Sequence, residues 1–191
     1  MNRRSMLLGA GGAFGAGLFS CVSFPKKSGP GPDKAGRRAN PIAVSTYSYW
    51  RFHKDKRLSI SECIRLAGET GFDAVEILEN QMKNRNNVYL QSLKRQALSY
   101  GMDLCGMSTH QGFVTPDEKK RQANVERTIR SLELAYQLGI PTIRVNTGRW
   151  GTIRSFDTLM TRRGIEPPLK GYTDEQAFPW VIESFEKCLP T

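Results

Sequence analysis

The sequence is poor in the residues from which most catalytic motifs are built. It has 2 histidines and 4 cysteines in 191 residues, and no cysteine pair has the Cys-x-x-Cys spacing of a zinc or redox site. It also lacks a zincin motif, a phosphate-binding loop, a Gly-x-Ser-x-Gly elbow and a pair of neighbouring catalytic carboxylates. Cys63, Cys105 and Cys188 fall on apolar positions of predicted helices or strands, which favours free buried thiols.

Acidic residues are scarce only at the N-terminus. The formal net charge is +10, but residues 1–40 hold 7 basic and 1 acidic side chains, whereas residues 41–191 hold 21 basic and 17 acidic ones. The second part therefore has an ordinary surface rather than a basic nucleic-acid-binding one. We expect no nucleic-acid partner.

No apolar run near the N-terminus is long enough to cross a bilayer comfortably, which takes about 20 residues. Arg3 and Arg4 precede a glycine-interrupted apolar stretch from Met6 to Phe19. A charged start followed by a short apolar stretch predicts an export signal over residues 1–21. The paired arginines resemble a twin-arginine signal, which exports folded proteins; the alternative is an ordinary secretory signal that contains two arginines.

The end of the predicted signal contains a candidate lipidation site. Leu18-Phe19-Ser20-Cys21 partly matches a bacterial lipoprotein processing site, and the alternative is that Cys21 only lies near a generic cleavage site. Residues 22–40 are rich in Pro, Gly and Lys and are predicted to form a disordered linker. We therefore expect an exported protein, periplasmic or lipid-anchored to a bacterial membrane, with its folded domain over residues 41–191.

One phrase recurs three times and predicts the fold class. Each copy reads Ala-x-x-x-Gly followed by alternating apolar positions, as a helix that ends at a glycine and continues into a buried strand. The copies begin at Ala67, Ala97 and Ala135. Because a whole helix separates successive strands, the strands must be parallel, so the sequence predicts an α/β fold.

The predicted order is βαβαβαβα. Strands are predicted over residues 42–47, 73–78, 103–108 and 141–146, and helix starts at Ser59, Thr115-Pro116-Asp117-Glu118 and Thr173. The helix after Thr115 is predicted to bury Val125, Ile129, Leu132 and Tyr136, and the last helix Val181, Phe185 and Leu189. No glycine-rich loop follows the first strand, which favours part of a barrel over a nucleotide-binding sheet.

In such a fold, side chains at the carboxyl ends of the strands can carry the chemistry. Tyr47, Ser48 and Glu79 are candidates by their position at strand ends. The candidates for a substrate pocket at these positions are Trp50, Glu76, His110, Arg144 and Asn146. His110 can contact substrate or metal, or only its loop neighbours. Glu76 and Arg144 can act in the site or form a structural ion pair, and Asn146 can bind a sugar hydroxyl or turn the chain.

The long connection over residues 147–171 adds two more pocket candidates, Arg149 and Trp150. Connections of this length are usually functional or disordered. Its arginine and aromatic content suits a lid that stacks on a sugar ring or holds an anion. The alternative is a mobile surface insertion.

Two segments, Gly71-Phe72-Asp73-Ala74-Val75-Glu76-Ile77 and Gly139-Ile140-Pro141-Thr142-Ile143-Arg144-Val145-Asn146, resemble the sugar phosphate isomerase/epimerase family of xylose isomerase-like TIM barrels. The segment Trp180-Val181-Ile182-Glu183-Ser184-Phe185 resembles that family's fourth helix, so the resemblance covers residues 41–191. It implies the N-terminal half of a barrel, with about four of the eight βα units.

The resemblance also implies an activity. Such enzymes use a divalent metal (Mn, Mg, Zn or Co) to move a proton between neighbouring carbons of a ketose or related sugar. The family's metal ligands come mostly from strands five to eight, so none is assigned here, and no catalytic residue is assigned. The implied partner is a sugar or sugar phosphate. Two open sheet edges also predict self-association.

Two other functions remain open at this point. A phosphodiesterase like endonuclease IV needs several more histidines at strand ends and a basic groove. A non-catalytic exported carbohydrate-binding module needs only a sugar site. Sugar binding retained without metal would distinguish the binding module from the enzyme.

We predict that residues 41–191 alone are inactive, because the resemblance assigns the metal-binding residues to strands that they do not contain. An isomerisation assay on the purified segment, with ketose substrates and divalent metals, checks this. Metal-dependent ketose isomerisation by the segment would contradict it.

Overall fold

Four parallel strands alternate with helices in the part of the chain that the computed structural model describes, residues 40–49 and 57–190. The predicted export signal, the linker up to residue 39, Cys21 and Trp50 lie outside the described residues. Within the described residues, no helix is long and apolar enough to cross a membrane.

The elements follow the predicted order. They are β1 (Ala43–Ser45), α1 (Thr46–Tyr49), α2 (Ile60–Thr70), β2 (Ala74–Leu78), a 3-10 turn (Glu79–Gln81), α3 (Asn87–Ser99), β3 (Asp103–Ser108), α4 (Glu118–Leu138), β4 (Ile143–Arg144), α5 (Phe156–Thr161) and α6 (Asp174–Glu186). The sheet order is β1-β2-β3-β4 and each neighbouring pair is parallel. Strands that are adjacent in the sheet are thus also consecutive in the sequence, as in a βα barrel.

The helix ends follow from local sequence chemistry. Ser59 begins α2 with a reciprocal capping box to Glu62. Gly71 and Gly139 end α2 and α4 in the left-handed conformation, with φ of 96° and 71°. Residues with a Cβ rarely adopt this conformation, so the glycines of the recurring phrase determine where the chain leaves each helix.

Both outer strands are shorter than predicted. β1 ends at Ser45 because Thr46 begins a helical turn and offers its hydroxyl, rather than its backbone, to the Leu78 N–H at 2.9 Å. β4 contains only Ile143 and Arg144, which pair with the last two residues of β3. Since β3 ends at Ser108, the fourth strand has no ladder partner beyond Arg144.

Three helical predictions were wrong in detail. α4 begins at Glu118 with Asp117 as its N-cap, so Thr115 does not cap it. Tyr136 is 86% exposed, because the buried face of α4 runs through polar Thr128 and Ser131 rather than through apolar residues alone. Leu189 lies beyond the end of α6 and is 79% exposed.

The two faces of the sheet differ in chemistry. Val75, Ile77 and Met107 belong to a buried cluster with α2 and α3 residues such as Ile60, Ile64, Leu90 and Leu93. Alternate residues point to opposite faces of a strand, and the opposite face presents Glu76 and Ser108, which bond to each other. We call this the inner face. The helices cover one apolar face of the sheet, and the inner face contains the Glu76–Ser108 hydrogen bond.

A bulge between β2 and β3 makes room for the Glu76 side chain on the inner face. The β2–β3 register shifts between Val75 and Glu76, so Val75 pairs with Leu104 and Glu76 with Gly106. A Cβ at Gly106 would lie 3.3 Å from the Glu76 Cγ, so the absence of a side chain there gives the Glu76 stem its space. The bulge therefore places Glu76 opposite the one β3 residue without a side chain.

Thr46→Val is expected to lower the free energy of unfolding by about 1–3 kcal/mol, because the buried Leu78 N–H loses its acceptor while volume is conserved. Urea denaturation followed by circular dichroism measures the change. The matched control is Thr70→Val at the exposed end of α2, where we expect less than about 0.5 kcal/mol. Equal effects at the two positions would contradict the interpretation.

Candidate functional site

Three predicted site residues follow β3 or lie at the end of β4, on or beside the inner face. Arg144 pairs with Ser108 in the ladder and donates to Asn146 Oδ1 at 2.8 Å. His110 follows β3 by two residues. Among the described residues, no ion pair joins Glu76 to Arg144; the Glu76 carboxylate instead accepts the Ser108 hydroxyl.

The loops after β3 and β4 touch through two glycines. A Cβ at Gly112 would lie 2.8 Å from the Gly148 Cα, and one at Gly148 only 2.6 Å from the Gly112 Cα. Beside this contact the Phe113 N–H donates to the Thr147 carbonyl at 2.8 Å. Neither loop can carry a side chain at the crossing, so this contact fixes how the two loops lie against each other.

The crossing loops line an open cavity of about 490 Å³ at the strand ends, which we call the strand-end cavity. His110, Gln111 and Gly112 line one side, and Asn146, Thr147, Gly148 and Arg149 line the other. Three residues predicted from sequence, His110, Asn146 and Arg149, thus share one cavity. Its volume suits a small ligand.

The surroundings of His110 favour the neutral imidazole. Partial burial lowers the pKa of His110 below its ordinary value, and the positive charges of Arg144 and Arg127 lower it further, while Glu79 acts in the opposite direction. A neutral imidazole presents one donor and one acceptor nitrogen at neutral pH. His110 can therefore both give and receive a hydrogen bond in the cavity.

Gln111 is fully enclosed and holds an acceptor without a partner. Its Nε2 donates to the Ser131 hydroxyl at 3.0 Å, and that hydroxyl donates its single proton to the Arg127 carbonyl at 3.0 Å. Ser131 must then accept from Gln111, which fixes the orientation of the Gln111 amide. Its Oε1 is buried and has no partner among the described residues.

Glu79, directly after β2, is a buried carboxylate held by two arginines. Arg85 donates to Oε1 at 2.7 Å and Arg127 to Oε2 at 3.1 Å, so both oxygens are paired. Arg127 also donates to Asn80, which joins α4 to the end of β2. This carboxylate is a structural junction beneath the cavity rather than a free ligand.

The long connection over residues 147–171 is organised around Glu166. One of its oxygens, Oε1, accepts from Arg149 Nη1 and from the Ile153 N–H, both at 2.8 Å. Desolvation raises the pKa of Glu166, but the Ile153 and Gly151 amides and the Arg149 charge outweigh it, so its pKa lies below the ordinary value. Trp150 donates to Asp174 Oδ1 at 2.7 Å and is held against α6.

The metal that the resemblance implies does not fit the described residues. They contain no group of three or more His, Cys, Asp or Glu side chains that could hold a metal ion. The inner-face carboxylate of Glu76 accepts from Ser108, and Glu79 is neutralised by two arginines. We therefore derive no step through a metal.

Reasoning from the sequence named Glu79 only as a strand-end candidate, not as a buried junction, and missed Gln111 and Glu166. Glu79 and its partner Arg127 are 48 residues apart, and Gln111 and Ser131 are 20 apart, so no local pattern marks either pair. The position of Gln111 directly after His110 was the one available signal. Tyr47, after β1, also lies near this site, with its ring centroid 6.5 Å from that of His110.

Residues 64–191 match the protein family described as xylose isomerase-like TIM barrel. No curated protein matches the chain. Solved structures match the chain. One of them is a D-psicose 3-epimerase from Clostridium cellulolyticum H10, described with D-tagatose. It is 18% identical to this chain, with a TM-score of 0.57 over 78% of this chain and 47% of that one.

Two further structures align similarly. The E. coli 3-keto-D-glucoside 4-epimerase is 18% identical, with a TM-score of 0.53 over 76% of this chain and 49% of that one. Protein SMc04130 of Sinorhizobium meliloti 1021 is 15% identical, with a TM-score of 0.52 over 79% and 46%. These likenesses show the fold, and the chain spans about half the length of the solved structures that it matches.

Arg144→Gln is expected to raise the pKa of His110, because it removes a positive charge that disfavours the imidazolium form. The imidazole Hε1 signal followed by NMR through a pH titration measures this, and His53→Gln separates the two histidine signals. Arg65→Gln, on the exposed surface of α2, is the matched control and should leave the pKa of His110 unchanged. An unchanged or lower pKa in Arg144→Gln would contradict the electrostatic account.

Proposed function

This chain belongs to the xylose isomerase-like TIM barrel family, and on that premise we propose that it binds a sugar in the strand-end cavity. In full-length form the protein acts as a sugar isomerase or epimerase on a ketose or sugar derivative. The observation that carries the proposal is that polar side chains from two strand-end loops, His110, Asn146 and Arg149, line one cavity. Side chains of these types can donate hydrogen bonds to sugar hydroxyls and accept hydrogen bonds from them.

The polar groups of the strand-end cavity offer both donors and acceptors to a sugar. Asn146 accepts from Arg144 through Oδ1, which leaves its amide N–H groups free to donate. Neutral His110 adds an acceptor, and Arg149 adds guanidinium donors beyond the one bound to Glu166. Sugar hydroxyls both donate and accept, so a cavity with mixed donors and acceptors orients a sugar better than an anion-only site would.

Proton transfer between neighbouring carbons is the reaction that the family resemblance implies. In this proposal the described residues bind and orient the sugar, and none of them is assigned as the proton-transfer group. The divalent metal stays a proposal for the full-length form, because the described residues do not offer its ligands. The structures described as epimerases of D-psicose and of a 3-keto-D-glucoside support a sugar as ligand.

Export belongs to the same proposal. The paired arginines and Cys21 favour a protein that acts outside the cytoplasm, in the periplasm or attached to a membrane by a lipid. We also propose self-association through the open edges of β1 and β4, since unpaired edges attract further strands.

Asn146→Ala is expected to weaken binding of D-fructose or D-tagatose about two- to tenfold, the effect of losing one hydrogen bond. Chemical-shift titration of the ¹⁵N-labelled chain measures the affinity. Asn87→Ala, at the exposed first residue of α3, is the matched control and should bind like the parent.

The outcomes separate the candidate functions. Absence of binding for every ketose tested would overturn the proposed sugar site. Sugar binding in a full-length form that neither isomerises nor epimerises any ketose, with or without metal, would favour a carbohydrate-binding module. Metal-dependent cleavage of a phosphodiester would favour the endonuclease-like alternative.

A further inference from the structure

The helix α6 carries two apolar surfaces, and the described residues cover one of them. Val181 and Phe185 pack against a buried cluster around Phe113. Phe178 and Ile182, one helical turn apart, form a second surface and are 64% and 57% exposed. We call this second surface the α6 stripe. A helix with two adjoining apolar surfaces is typical of a position between two neighbours.

A groove of about 420 Å³ runs beside the α6 stripe, and we call it the edge groove. Ala177, Phe178 and Ile182 of α6 line one side of it, and Thr147 and Gly148, which follow β4, line another. The edge groove therefore lies between α6 and the chain that leaves the open edge of the sheet. A strand added at that edge would pack under α6 in this groove.

The backbone of β4 is oriented to accept a further strand. The carbonyl groups of Thr142 and Arg144 accept from the amides of Met107 and Thr109, on the β3 side. Because backbone groups of successive residues point to opposite sides of a strand, Ile143 directs its N–H and C=O toward the open side. An added parallel strand can therefore continue the ladder.

β1, at the other edge of the sheet, has matching features. Ile42 accepts the Asp73 N–H at 2.9 Å and donates its own N–H to the Asp73 carboxylate at 2.9 Å, so its backbone is turned toward β2. By alternation, Ala43 and Ser45 direct their backbone groups toward the open side. The Ile42 side chain is 63% exposed and shares a strand face with Val44, which packs against the helix-covered cluster. Each edge thus combines backbone groups with exposed apolar side chains on the helix-covered face.

The number of strands indicates what can occupy both edges. The sheet holds four consecutive parallel strands, half the number of a βα barrel, and the chain spans about half the length of the solved structures that it matches. A two-fold axis parallel to the strands keeps the strands of two copies pointing the same way. It places β4 of each copy beside β1 of the other, in two equivalent junctions.

We propose that two copies of this chain close into one eight-stranded barrel, with β1 of each copy in the edge groove of the other. This rests on the self-association proposed above and names its surfaces. At each junction Ile42 of one copy packs against the α6 stripe of the other, which removes both apolar surfaces from water. The backbone groups of β4 and β1 pair across the junction, so neither edge stays open.

Sedimentation velocity of the 191-residue chain over a range of concentrations tests the pairing. We expect a reversible equilibrium between the monomer and a single species of twice its mass. A closed pair leaves no edge for a third copy, whereas an open head-to-tail contact would continue to add copies.

Variants identify the surfaces. Ile182→Glu places a charge in each of the two junctions of a pair, so it should raise the dissociation constant at least about tenfold. Leu98→Glu is the matched control, since Leu98 is 76% exposed on α3, between the central strands β2 and β3, and it should associate like the parent. Ile42→Lys places a charge on the opposite side of the junction, so it tests the same contact even if Ile182→Glu alters α6.

The outcomes distinguish this inference from the proposals above. Pairing that neither Ile182→Glu nor Ile42→Lys weakens would overturn the shared barrel and leave self-association standing. A series of species larger than two copies would overturn the closed pair. A monomer at every concentration would overturn both, and would assign the edge groove to further βα units of a longer form. The titration with D-fructose is a separate measurement, so the proposed sugar site is tested independently.

Discussion

The arrangement of the site depends on one backbone contact, the crossing of Gly112 and Gly148. No side chain fits between them, since a Cβ on either would come within 3 Å of the other's Cα. The contact brings the loop that bears His110 and Gln111 against the loop that bears Asn146 and Arg149. Asn124 of α4 secures it by donating to the Gly112 carbonyl at 2.6 Å. Two strand ends thereby become the walls of one cavity.

The fold was predictable from sequence because its signals are local. The glycines of the recurring phrase end helices by a conformational preference that one residue carries, and Gly71 and Gly139 have the expected positive φ. β3 was predicted over its observed residues, since it is a short, largely buried segment that directly follows the end of a helix. The outer strands were predicted too long, because their ends depend on partners. The Thr46 hydroxyl stops β1, and the end of β3 at Ser108 stops β4.

The site was predictable only in part. His110, Asn146 and Arg149 meet in one cavity because strand ends converge, a rule that applies to any parallel sheet. The acceptor of Gln111 could not be predicted, since its orientation depends on a serine on α4 that bonds its own helix backbone. Glu79 was a site candidate by its position after the second strand, and in the fold it is a buried junction. Trp50 lies outside the described residues and stays a prediction.

Glu166 shows how one carboxylate can organise a long connection. The connection over residues 147–171 has one short helix, α5, and its remaining backbone groups must find partners elsewhere. Glu166 supplies such a partner with a single oxygen, which accepts both the Ile153 amide and the Arg149 guanidinium. The Gly151 and Thr152 amides also stabilise its charge, because they lower the pKa of Glu166. Both buried carboxylates therefore hold parts of the chain together: Glu79 joins the end of β2 to α4 through Arg127, and Glu166 organises the connection before α6.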